Sequence, residues 1–159
     1  IGDMATIGSI APDKFVSKAM DNGTIMEPEA RRYYSFETGL DVQQIGFCLS
    51  DCERWGCSPD GLVGEVGVLE LKVPTLKTQV RYLLDGKLPD EYKAQTHGHL
   101  IVTGREWCDF LSYVVGLDPL LIRVVRDEFT VKLQAALEEF DTRFKAALEK
   151  IRLPQRGNT

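Results

Sequence analysis

Val68-Leu69-Glu70-Leu71-Lys72-Val73 constrains the fold of this chain more than any other stretch. Its apolar residues fall on both parities of a strand, which marks a strand covered on both faces and therefore a sheet with a layer above and below it. Within that strand Glu70 and Lys72 stand two apart, so a carboxylate and an ammonium leave the same face. On spacing alone such a pair reads as a solvated face with a weak ion pair. The apolar neighbours change the reading, because charge in such a place is costly unless it is paired or bound to a metal. Just upstream, Gly56-Cys57-Ser58-Pro59-Asp60-Gly61 brings in a further acid, and Gly61, Gly64 and Gly67 offer turn positions that tolerate positive φ. The chain can then fold back and set Asp60 beside Glu70 and Lys72. Two acids converging in this way suit a hard divalent cation such as Mg²⁺, which takes oxygen ligands and keeps several waters.

The remaining elements follow from period and punctuation. A short helix is expected from Pro12 to Met20, broken by Asp21-Asn22-Gly23. A second runs from Glu27 through Phe36, with Pro28 in its first turn, Ala30, Tyr33 and Tyr34 at helical spacing, and Thr38-Gly39 at its end. Glu27 at that start has an ordinary use as a complement to the helix dipole. Val42 to Leu49 reads as a strand with Ile45, Phe47 and Leu49 on one face, Asp51 to Arg54 as a turn, and Trp55 to Val63 with Val66 to Val73 as a hairpin. Leu76, Val80, Leu83 and Leu84 predict a helix closed by Gly86, with Lys77 and Arg81 one turn apart on another side. Asp90 is the expected N-cap of a helix reaching Thr103, whose inner side carries Tyr92, Gln95, Thr96 and His99. His97 and His99 point about 200° apart on that helix and cannot chelate one ion, whereas Gln95 and His99 share a face. Trp107 to Val115 and Leu120 to Val125 read as strands. An apolar stripe from Phe129 through Leu133, Leu137, Phe140, Phe144 and Ile151 predicts a long helix capped by Asp127, serving packing rather than chemistry.

These elements imply an α/β fold, a mixed central sheet flanked by helices. The chain has 159 residues, 43% of them hydrophobic, enough for one core. A single domain over 1–159 is expected, with an N-terminal segment 1–22, a core 23–126 and a C-terminal helix 127–153. No apolar run is long enough to span a bilayer and no signal-peptide pattern stands at the start, which implies a soluble cytoplasmic protein. The four cysteines lack a C-x-x-C pair and read as reduced core residues, not as a metal or iron–sulfur site. A net charge of −5 works against binding a polyanion, though clustered carboxylates are neutralised once cations bind. Arg31, Arg32, Lys77 and Arg81 remain available for a local basic rim.

Ser58-Pro59-Asp60-Gly61 followed by Glu70-Leu71-Lys72 resembles the P-D...(D/E)-x-K signature of the restriction-endonuclease-like nucleases. Gly23-Thr24-Ile25-Met26-Glu27-Pro28-Glu29-Ala30-Arg31, Tyr92-Lys93-Ala94-Gln95 and Val102-Thr103-Gly104-Arg105-Glu106-Trp107 extend the likeness to one branch, the lambda exonuclease family of phage-type recombination nucleases. The resemblance implies a restriction-endonuclease-like core and an Mg²⁺-dependent exonuclease, with Mn²⁺ as a substitute and one or two ions per site. Asp60, Glu70, the Leu71 carbonyl and Glu27 would hold metal, and Lys72 and Gln95 would complete the catalytic set. It also implies 5′→3′ digestion of one strand of linear duplex DNA, leaving 3′ overhangs for a single-strand annealing protein, by a toroidal homotrimer. Other outcomes for the same fold are an endonuclease or junction resolvase, or a DNA-binding or inhibitory protein without catalysis. One departure stands out. The family places a Trp...Arg...Thr-Ala-Ser segment near the N-terminus to hold the 5′ phosphate, where this chain has Gly8-Ser9-Ile10-Ala11-Pro12-Asp13 and no arginine before Arg31.

Overall fold

The strand that dominates the sequence is the middle of the sheet. In a computed structural model, which describes residues 18–152, the elements run α1 (Lys18–Thr38), β1 (Val42–Gln43), β2 (Cys48–Leu49), β3 (Gly56–Cys57), β4 (Gly61–Val63), β5 (Gly67–Lys72), α2 (Leu76–Asp85), α3 (Asp90–Thr103), β6 (Trp107–Ser112), β7 (Leu120–Val125) and α4 (Glu128–Arg152). The main sheet has the order β1-β4-β5-β6-β7, with β5 and β6 parallel and the other pairs antiparallel. The parallel pair needs a crossover, which α2 and α3 supply. This is the expected mixed α/β architecture. Among the described residues no helix is long and apolar enough to cross a membrane.

Alternation along β5 sorts its side chains between two layers. Leu69 and Leu71 face α1 and pack with Ala30, Tyr34, Val63 and Leu111. Val68 faces the other way and packs with Leu100 of α3, Cys108 and Val124. Glu70 and Lys72 share the parity of Val68, so they too leave the sheet on the α3 side. Glu70 therefore meets a helix and not water, while Lys72 is half-buried.

Several expectations fail locally. The helix expected over Pro12 to Met20 lies mostly outside the described residues, and α1 runs from Lys18 through Asp21-Asn22-Gly23 without a break, so Pro28 is inside it and not in its first turn. One glycine in a helix interior costs only about 1 kcal/mol, and Pro28 removes a single backbone bond, so packing of Ala30 and Tyr34 downstream carries the helix through both. The strand expected over Val42 to Leu49 is two pieces in different sheets, because β2 pairs with β3 in a separate two-stranded ladder. Phe47 and Leu49 are accordingly exposed. The expected strand from Trp55 to Val63 is interrupted at Ser58-Pro59-Asp60, where proline has no N–H to give a ladder. The strand expected to reach Val115 stops at Ser112.

Of the three glycines expected to supply positive φ, only Gly64 does, at φ +53°. Gly61 and Gly67 are strand residues that allow close approach instead. A Cβ on Gly67 would lie 2.2 Å from the Trp107 indole, and one on Gly61 2.3 Å from a Val42 methyl. Arg105 then locks the β4–β5 turn, its Nη1 donating to the carbonyls of Gly64 and Gly67, each at 2.8 Å.

Helix α2 reverses its expected stripe: Leu76, Val80 and Leu84 are exposed, while Gln79 and Tyr82 are buried. Gln79 can be inside because its amide nitrogen donates to the carbonyls of Ser112 and Asp118, at 3.2 and 2.9 Å. Asp90 is the first residue of α3, which Pro89 precedes at the N-cap, and Gly104 closes the helix in the left-handed region. Asp127 caps α4, accepting from the N–H groups of Phe129 and Thr130. The cysteines are not all core residues. Cys108 is buried, Cys48 and Cys57 are half-buried, and Cys52 is exposed.

Candidate active site

Strand register sets two acids face to face. β4 and β5 pair with Gly61 opposite Leu69 and Leu62 opposite Val68, so one further step puts Asp60 opposite Glu70. Asp60 Oδ2 accepts from the Leu71 N–H at 2.6 Å, which ties the turn to the end of β5. Arg31 of α1 donates to the Asp60 carbonyl at 3.2 Å. Asp60 also lines an open pocket of about 420 Å³ with Glu27, Arg31, Gln44 and Ser58.

Glu70 is 1% exposed and has three partners. Its Oε1 accepts from Lys72 Nζ and from Gln95 Nε2, the latter at 2.7 Å, and its Oε2 meets His99 Nε2 at 2.8 Å. Burial alone would raise this carboxyl, but the bonds to His99 and Lys72 and their charges hold it below the usual carboxylate range. Burial likewise works against the Lys72 ammonium, yet the charges of Glu70 and Asp60 hold its pKa above the ordinary lysine value. The ammonium also lies 5.2 Å from the centre of the Tyr92 ring. Asp60 is the strained member. Burial first, then the charge of Glu70, pushes its carboxyl up to about 6, and Glu27 adds to the effect.

Asp60, Glu70, Lys72 and Gln95 are thus brought together. Glu27 comes near enough to act on Asp60 through charge and to share its pocket. Arg31 is occupied by the Asp60 carbonyl and, with the Gln44 amide oxygen turned toward it, by Gln44. Arg32 is exposed beside a neighbouring open pocket that Arg31 also lines. Lys77 is exposed on α2. Arg81, also on α2, is 3.8 Å from Glu91 and stacks on Tyr82.

His99 is the residue that sequence reasoning left without a role. The signal was its place one turn after Gln95 on the same face of α3. His97 turns away to Thr130, 2.8 Å from its hydroxyl. Leu133 and Leu137 of the long C-terminal helix wall a groove of about 530 Å³ that Trp55, Ser58, Gln95 and His99 also line.

Among the described residues no three His, Cys, Asp or Glu side chains are grouped as a metal cage. An Mg²⁺-class cation does not need one, since one or two carboxylates suffice with substrate oxygens and water. The donors present fit that chemistry. Asp60 and Glu70 offer only oxygen, and the Asp60 carboxyl, raised first by burial and then by the charge of Glu70, would be relieved of that charge repulsion by a cation.

Among the solved structures that share this architecture are two of an alkaline exonuclease, LHK-Exo, from Laribacter hongkongensis. One matches with a TM-score of 0.78 at 34% identity, over 86% of this chain and 73% of that one. The other, the same protein in complex with dAMP, matches with a TM-score of 0.77 at 34% identity and the same coverage. The fold therefore belongs to the exonuclease class of mixed α/β proteins. Residues 2–106 match the YqaJ-like viral recombinase domain, and the chain belongs to that family. Comparison with curated proteins gives no match.

Proposed function

We propose that the protein is an Mg²⁺-dependent exodeoxyribonuclease that hydrolyses linear double-stranded DNA from its ends. The observation that carries this reading is the contact set around Glu70, where Lys72, Gln95 and His99 surround a buried carboxylate opposite Asp60. Membership of a viral recombinase family and likeness to an alkaline exonuclease solved with a nucleotide support DNA as substrate. Asp60, Glu70 and the Leu71 carbonyl would hold the cation, with Glu27 toward a second. That cation, Mg²⁺ or in its place Mn²⁺, would supply Lewis acidity at the scissile phosphate and lower the pKa of the attacking water.

The chain's own groups do the rest. Lys72, whose ammonium contacts Glu70, stabilises the negative charge that grows on the phosphate oxygens and orients water. Gln95 holds the Glu70 oxygen that Lys72 also contacts, which keeps lysine and carboxylate in register. Arg31 braces the Asp60 turn through its carbonyl. Arg32, Lys77 and Arg81 contribute to a basic rim for the duplex.

Digestion runs 5′→3′ and leaves 3′ overhangs for a single-strand annealing partner. The working form is a homotrimer threaded by DNA in the cytoplasm of a bacterial or phage-infected cell. End-labelled linear duplex tests the reading: Mg²⁺-dependent release of label from the 5′ end supports it. Release that needs no divalent ion contradicts it.

A further inference from the structure

His99 lies outside the residue set expected from the sequence, yet among the described residues it alone holds one oxygen of Glu70. Oε1 is held from β5 by Lys72 and from α3 by Gln95, whereas among the described residues Oε2 meets only His99 Nε2, at 2.8 Å. Gln95 and His99 are one helical turn apart, so α3 presents two nitrogens to the two oxygens of one carboxylate. A carboxylate held at one oxygen can still swing about its terminal torsion, which is broad and soft. Held at both, its plane is fixed. The ring doing this is 3% exposed, next to the buried Leu100 that anchors α3 to the sheet. Packing alone does not explain a histidine here. Its Nδ1 is buried and meets no partner among the described residues, a burden that leucine would not bring.

We infer that His99 is a positioning residue that acts through Glu70, fixing the plane of that carboxylate and so setting the affinity of the site for its divalent cation. This rests on the nuclease reading for what Glu70 binds, and on the contacts above for how it is held. Hydrogen-bond partners of metal-binding carboxylates typically change metal affinity or activity by roughly 10–100-fold when removed.

The test compares the full wild-type chain with His99→Leu, His99→Asn and His99→Gln. Mn²⁺ binding is measured by calorimetry on protein without DNA, and the Mg²⁺ concentration for half-maximal cleavage is measured at saturating duplex. Glutamine carries its amide nitrogen close to where His99 Nε2 lies. Asparagine reaches only the place of Nδ1. The expected result is a loss of roughly 10–100-fold in Mn²⁺ affinity for the leucine and asparagine variants. Their Mg²⁺ requirement should rise in parallel, and glutamine should recover most of the affinity. A role in packing alone would not move the half-saturation point or be rescued by glutamine. Circular dichroism identifies a leucine variant that does not fold, in which case asparagine against glutamine decides. Wild-type Mn²⁺ affinity and Mg²⁺ requirement in the folded leucine or asparagine variant overturn the inference. A wild-type protein that neither binds Mn²⁺ nor cleaves duplex overturns the nuclease reading itself, which separates the two failures.

Discussion

Asp60 shows how a single residue trades stability for function. Its folded pKa is raised to about 6 from a usual carboxylate value near 3.8, so the native state binds the proton more tightly than the unfolded chain. Stability in metal-free solution must then fall as pH rises through about 4 to 6, and it stays reduced above that window. Asp60→Asn keeps an oxygen for the Leu71 N–H and removes the charge. It should raise metal-free stability at pH 7.5 by about 1–3 kcal/mol, with the gain disappearing below about pH 4. Urea melts at the two pH values check this, and a variant less stable than wild type at pH 7.5 refutes it. Lys72→Ala should lower the single-turnover rate far more than DNA affinity, because its charge matters most in the transition state. If saturating DNA restores the normal rate, Lys72 is a phosphate anchor. Asp60, Glu70 and Lys72 were legible in the sequence because a strand period and a short turn are local facts. Gln95 was legible only through family resemblance. The contact of His99 with Glu70 was not legible, because a partner 29 residues away depends on where α3 crosses the sheet.

Elements were legible where hydrophobic period and burial agree, and hidden where they part. β5, α3, β7 and α4 came out close to expectation. Helix α2 did not, because a satisfied glutamine and a tyrosine took the buried face that leucines and valine were expected to fill. Gly61 and Gly67 of the β4–β5 hairpin were noticed for the wrong reason. Gly67 sits under the Trp107 indole, which Arg123 stacks on from 3.8 Å, so the ring has little freedom to withdraw. Gly67→Ala should therefore cost about 1–3 kcal/mol by overpacking, read as a lower urea midpoint. An alanine variant as stable as wild type would show that the indole moves freely.

At the scale of the whole molecule, a chain of net charge −5 has little long-range attraction for DNA, yet an exonuclease must stay on its track for many steps. Enclosure in the proposed ring would supply what electrostatics does not. Phe140 and Phe144 stack on each other on α4 while remaining exposed, and Phe36 is exposed on α1. Light scattering should report a trimer at micromolar concentration. A monomer that still degrades long duplexes without dissociating would remove the ring from the account. The proposed enzyme is a cation-dependent nuclease that works from DNA ends through Glu70. Its most direct measurement is digestion of a linear duplex labelled at either end beside a covalently closed circle, with and without Mg²⁺, by wild type and Glu70→Gln. The account predicts Mg²⁺-dependent loss of 5′ label from the linear duplex, an intact circle, and no digestion by the variant. A circle cut as fast as the linear duplex, or normal digestion by Glu70→Gln, would contradict it.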